Sequence, residues 1–122
     1  MSDSKQIERT IRAYFAAGTQ QEIAALALSR RIEMNSPMLP EPLHGDTAVR
    51  EYIQQFTPFI SRSEVLEIII DRNSVAARVL IVSDNGIELE AAFFFRIFRG
   101  QISRIRSLFD TRLLLAASDT AA

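Results

Sequence analysis

The hydrophobic and polar positions of this chain change period along its length, from a helical spacing in the first half to strict alternation in the second. Ile7, Ile11, Tyr14 and Phe15 recur three and four positions apart, which lines one face of a helix. Asp3 with Gln6 offers an N-cap and its reciprocal partner, so a first helix is predicted over about residues 4–17, ended by Gly18. Thr19-Gln20-Gln21-Glu22 is a capping-box sequence and predicts a second, short helix running through Leu26 and Leu28. Arg31 to Ser36 alternates as a short strand. The prolines at 37, 40 and 42 then exclude both a helix and a central strand, leaving an ordered loop to Leu43. Asp46 is read as the N-cap of a third helix whose Val49, Tyr52, Ile53 and Phe56 share a face, with Pro58 as its stop.

From there the period becomes two. Val65 to Ile70 is a nearly continuous β-branched run, Val75 to Ser83 alternates, and Asp84-Asn85-Gly86 supplies the Asn-Gly pair suited to a tight hairpin turn. Residues 87–98 and 102–110, separated by Arg99-Gly100-Gln101, form the most regular stretch. Leu89, Ala91, Phe93, Phe95 and Ile97 share one face of the first strand, and Ile105, Ser107 and Phe109 one face of the second. The opposite faces mix Phe94, Phe98 and Leu108 with Glu88, Glu90, Arg96, Arg104, Arg106 and Asp110. The order helix, helix, strand, helix and four antiparallel strands predicts an α+β fold. In it a curved antiparallel sheet carries three helices on its concave face and leaves a cone between them. After about residue 111 no pattern is evident beyond Leu113-Leu114-Leu115, and a loose Ala-rich terminus is expected.

With 122 residues the chain fits one domain over 1–122, with a core of about 5–112. Its net charge of −1, from 14 basic and 15 acidic residues without like-charge blocks, lacks the basic footprint of a nucleic-acid binder. Thirteen of the basic residues are arginine, a residue suited to fixed, bidentate surface contacts. The absence of cysteine excludes disulfides, thiolate metal sites and thiol nucleophiles. No stretch reaches the roughly 18 apolar residues of a membrane span, and Met1 to Gln6 does not read as a leader, so a cytoplasmic location is expected, with no membrane partner. With one histidine and no cluster of acids at ligand spacing, neither a metal site nor a cofactor is expected.

Short segments carry a further resemblance. Ala13-Tyr14-Phe15-Ala16-Ala17, then Pro37 and Glu41-Pro42, then Gly45, Ala48 and Val49-Arg50-Glu51-Tyr52 resemble the ketosteroid isomerases. Gly100, Ile102, Arg106 and Leu108-Phe109-Asp110 suit the wider nuclear transport factor 2-like superfamily, which includes the SnoaL-like cyclases. The resemblance spans residues 5–112 and implies a cystatin-like cone. In an isomerase of that kind a carboxylate base works with a tyrosine and a protonated aspartic acid at the developing enolate oxygen. Tyr14 falls on the tyrosine position, but Ser36 stands at the base, Phe93 at the second acid and Ile53 at a supporting tyrosine. Serine does not accept a carbon-bound proton unaided and phenylalanine donates nothing, so the resemblance implies the fold without that chemistry.

On the same alignment the cone is lined by Tyr14, Met34, Ser36, Tyr52, Phe56, Val79, Ile81, Phe93, Phe95, Ile105, Ser107 and Phe109. Asn35 becomes a lining candidate if the strand register shifts by one. This apolar lining with a few hydroxyls suits a small hydrophobic ligand. Tyr14, Ser36 and His44 are the candidates for catalysis; His44 sits in the loop expected at the cone's mouth. The rival readings are an isomerase, cyclase or hydratase acting on a hydrophobic carbonyl compound through an ordered water, and a non-catalytic association module whose cone is filled. Leu80, Val82, Phe94, Phe98 and Leu108 share the parity opposite the cone, and a homodimer through that outer face is expected. Arg78, Arg96, Arg104 or Arg106 would then pair with Glu88, Glu90 or Asp110 at its rim.

Overall fold

The computed structural model describes residues 4–112; the expected N-cap Asp3, the run Leu113 to Leu115 and the Ala-rich terminus lie outside them. The elements are α1 (Ser4–Ala16), α2 (Gln20–Ala24), β1 (Leu28–Asn35), β2 (Leu43–His44), α3 (Asp46–Phe56), a 3₁₀ turn (Thr57–Phe59), β3 (Ile60–Asp71), β4 (Ser74–Ser83), β5 (Glu88–Phe98) and β6 (Gln101–Leu108). The six strands form one curved sheet in the order β2-β1-β6-β5-β4-β3, with the three helices on its concave face. All pairings are antiparallel except β1 with β6, which is parallel and which the alternation of single strands does not encode. The core joins Ile7 and Ile11 of α1, Ile23 of α2 and Val49 of α3 to the inward residues of β1, β4, β5 and β6. Burying each such aliphatic side chain contributes about 1.5–3 kcal/mol, so the helices are held by their apolar stripes rather than by intrinsic propensity.

Several expectations are corrected by tertiary contacts. The second helix stops at Ala24, and Leu28 opens β1 instead. Arg50 of α3 donates to the carbonyl oxygens of Ile23 and Leu26, at 2.5 and 3.1 Å, satisfying the helix end where the chain turns toward the sheet. Leu26 and Leu28 are two apart, a spacing that buries both only once the helix has ended. Asp46 is the first residue of α3; Gly45 is its N-cap, and the Asp46 carboxylate lies 3.7 Å from Arg50. β2 pairs Leu43 and His44 with Met34 and Glu33, so the proline loop ends in a strand. β3 begins five residues earlier than the β-branched run, because Ile60 and Arg62 to Glu64 pair with β4, around a bulge at Ser61, although Ser61 to Glu64 carry no apolar alternation.

The turns also differ in detail. Between β4 and β5 only Gly86 takes positive φ, at 84°, whereas Arg99 and Gly100 are both left-handed, at 51° and 77°, and make the two-residue hairpin between β5 and β6. A bulge follows at Ser103, whose hydroxyl donates to the Arg96 carbonyl oxygen at 3.1 Å. Strict alternation would place Ile102 with Arg104. The bulge resets the parity, and Ile102 and Ile105 are both fully buried.

Candidate functional site

Helices laid across a curved sheet leave space where the sheet bends away, and here a cavity of about 620 Å³ lies between α1, α3, the 3₁₀ turn and the concave face. One wall is aromatic. Tyr14 packs edge-on against Phe15 and Phe95, with ring centroids 5.1 and 5.4 Å apart, and Phe15 packs edge-on against Phe93 at 4.9 Å. These contacts fix ring orientation at about 0.5–1.5 kcal/mol each beyond area burial. The facing wall is Tyr52 and Phe56 of α3, 4.7 Å apart, with Ile53 beside them.

Four hydroxyl groups, those of Tyr14, Ser36, Tyr52 and Ser107, break this surface. Tyr52 and Ser36 are joined by a hydrogen bond of 3.2 Å, and the Ser36 oxygen also accepts from the Met38 N–H at 3.2 Å. The hydroxyls of Tyr14 and Ser107 make no hydrogen bond to protein among the described residues. No fully buried side-chain polar atom among these residues lacks a partner, so both hydroxyls open onto the cavity. Desolvation raises the Tyr14 pKa, and nearby Tyr52 raises it further; Tyr52 is itself raised by burial, an effect its bond with Ser36 opposes. Both phenols are therefore neutral donors at physiological pH.

Tyr14, Met34, Ser36, Tyr52, Phe56, Ile81, Phe93, Ser107 and Phe109 line this cavity. Val79, Phe95 and Ile105 point to the same side of the sheet but are packed beneath it as core. Asn35 faces the other way, its amide donating to Glu33 at 3.1 Å, and exposed His44 lies opposite Glu33 on the β2 edge, apart from the cavity. Asp110 pairs with Arg112 at 2.8 Å rather than with Arg104 or Arg106. Sequence reasoning missed Phe15, Ile53, Leu89 and the rim formed by Phe59 to Ser63 and Ser83 to Asn85. Phe15 and Ile53 were readable as inward helix positions, whereas the rim exists only because the 3₁₀ turn and the β4–β5 turn meet: the Asp84 N–H donates to the Phe59 carbonyl oxygen at 2.9 Å. The ionisable lining residues besides the two tyrosines are Arg62 and Asp84, both exposed at this rim. Among the described residues no three acids or histidines gather as metal ligands, and no helix is long and apolar enough to cross a membrane.

A mostly antiparallel, strongly curved sheet closed by three helices over an apolar cavity is the nuclear transport factor 2-like architecture. The chain is similar over 90% of its length to 91% of an NTF2-like protein of unknown function from Cytophaga hutchinsonii, at 20% identity and a TM-score of 0.71. It is similar over 98% of its length to 99% of a proposed isomerase from Rhodopseudomonas palustris, at 21% identity and a TM-score of 0.77. A de novo designed protein with a curved β-sheet matches 97% of the chain over 96% of its own, at 19% identity and a TM-score of 0.82. These likenesses establish the fold, which a designed sequence adopts as well as natural ones do. The chain belongs to the family described as Domain of unknown function (DUF4904), whose model matches residues 1–122. No curated protein matches it.

Proposed function

We propose that this chain binds one small, largely apolar, ring-containing molecule with one or two oxygen atoms in the cavity between α1, α3 and the sheet, in the cytoplasm. The observation that carries this reading is the pair of hydroxyls, Tyr14 and Ser107, that open onto an apolar cavity without protein partners. Hydroxyls that open onto an apolar cavity orient a ligand oxygen by hydrogen bonding, while the apolar walls supply affinity by burial. The volume lies within the roughly 300–1,000 Å³ of small-molecule sites, and aromatic walls favour flat rings. Binding rather than proton transfer is the favoured activity, since the described lining holds no general base away from its exposed rim.

Calorimetric titration with 2-naphthol and naphthalene tests this directly. One site per chain is expected, with 2-naphthol bound about 2- to 13-fold more tightly, the worth of one net hydrogen bond. Absence of binding, or equal affinity for the two compounds, would overturn the proposal.

A further inference from the structure

The hydroxyl groups along the cavity and its rim divide by whether the fold already uses them. Ser36 and Tyr52 bond each other, Thr57 donates to the Ile53 carbonyl oxygen at 2.8 Å, and Ser83 donates to the Asn85 side chain while accepting from the Ile87 N–H. Tyr14, Ser107 and Ser63, with Ser61 beyond it, make no hydrogen bond to protein among the described residues, and all line the cavity. These free hydroxyls stand at two ends. Ser107 lies opposite Phe93 on β5, and the Tyr14 ring packs against Phe93 and Phe95, which sets both at the inner end. Ser63 lies at the rim: it pairs with Ile81, which pairs with Leu89, four residues along β5 from Phe93. Between the ends the sheet presents the apolar side chains of Ile81, Leu89 and Phe93.

The direction of Ser63 is set by the bulge at Ser61. Strict alternation from the inward Ile60 would send Ser63 outward. The extra residue resets the parity, so Ser63 shares the half-buried inward face with Ile60 and Val65, while exposed Arg62 and Glu64 pair with each other at 3.6 Å on the opposite side of the strand.

From this division we infer, resting on the reading of the cavity as a ligand site, that the ligand carries an oxygen at each end of a rigid apolar body and that Ser63 selects the second one. Four residues span about 13 Å along the strands, and the three strand spacings from β6 to β3 about 14 Å across them, a diagonal of about 19 Å on the sheet surface. The concave bend shortens the path through the cavity, and a hydrogen bond of about 3 Å at each end shortens the ligand further, to an oxygen separation on the order of 12 Å. A compound of naphthol size reaches one end only, whereas two linked rings reach both. Arg62 turns away to Glu64, so the second oxygen belongs to a neutral group, which a serine hydroxyl serves as donor or acceptor.

Calorimetric titration of the native chain and of Ser63→Ala with two rod-shaped compounds tests this assignment. One is 4,4′-dihydroxystilbene, and the other is 4-hydroxy-4′-methylstilbene, in which a methyl group of similar size replaces the second hydroxyl. The native chain is expected to bind both at one site. Ser63→Ala is expected to weaken the diol about 2- to 13-fold, the worth of one net hydrogen bond, and to bind the methyl compound as tightly as before, which also shows that the variant is folded. If neither compound binds the native chain, the cavity reading and this inference fail together. If both bind but Ser63→Ala leaves the diol unchanged, or weakens the two compounds equally, the second anchor is refuted and the cavity reading stands.

Discussion

Replacing Tyr14 by phenylalanine removes one oxygen atom and separates the fold's requirements from those of the site. In most cores a buried tyrosine hydroxyl is bonded and its loss destabilises the protein. Here the ring is held by Phe15, Phe93 and Phe95, and the hydroxyl bonds no protein group among the described residues. The ring contacts survive the substitution and no hydrogen bond is broken. Stability in urea is therefore expected to stay level within about 0.5 kcal/mol, since the hydroxyl opens onto the cavity and bonds no group of the fold. Tyr52→Phe is the internal comparison. It breaks the bond to Ser36 and is expected to cost about 0.5–1.5 kcal/mol. Binding should respond in the opposite sense, with Tyr14→Phe erasing the preference for 2-naphthol over naphthalene. The pH profile adds a signature. Because the folded Tyr14 pKa is raised above an unfolded value of about 10, the unfolded chain holds fewer protons above that pH, and native stability falls as pH rises. Tyr14→Phe lacks that part of the fall. A loss of more than about 1 kcal/mol at pH 7 would refute the reasoning, since it would show the hydroxyl to be bonded within the fold.

Two further outcomes follow from the core and from the residues at the acid positions. Ile11→Ala, at a fully buried position where α1 meets the sheet, is expected to cost about 2–5 kcal/mol in urea unfolding; a cost below about 1 kcal/mol would mean that α1 does not seal the core. Isomerisation of a β,γ-unsaturated ketosteroid is expected to be absent, since on the resemblance to the ketosteroid isomerases Ser36 and Phe93 fall where the base and second acid would stand, and each missing group typically costs about 10²- to 10⁴-fold; turnover at the rate of a competent isomerase would contradict it.

Much of the architecture was legible because each element buries one face, and burial imposes a period on the sequence. Ile7 and Ile11, Val49 with Tyr52 and Ile53, and the alternation from Leu89 to Ile97 place α1, α3 and β5 on the correct sides of one core. What escaped depends on contacts between distant segments. The parallel pairing of β1 with β6 leaves no mark on either strand alone, and the Ser103 bulge moves Ile102 inward against the local alternation. The early residues of β3 are strand because β4 pairs with Ile60 and with Arg62 to Glu64, although Arg62, Ser63 and Glu64 give no apolar signal. The cavity was half legible for the same reason. The family resemblance named Tyr14, Met34, Phe93 and Ser107 as lining, but neither an alignment nor parity separates a residue facing open space from one packed as core, as Phe95 and Ile105 are. That distinction depends on how far the sheet bends from the helices.

The most direct test of a ligand-binding cone is a crystal structure of the protein grown with 2-naphthol. The account predicts the ring between the Phe15–Phe93 wall and the Tyr52–Phe56 wall, with its oxygen within about 3.2 Å of the Tyr14 hydroxyl. A ring seated instead in the outer groove beside Phe94 and Arg106, or a cone closed by its own side chains with no ligand inside, would contradict it.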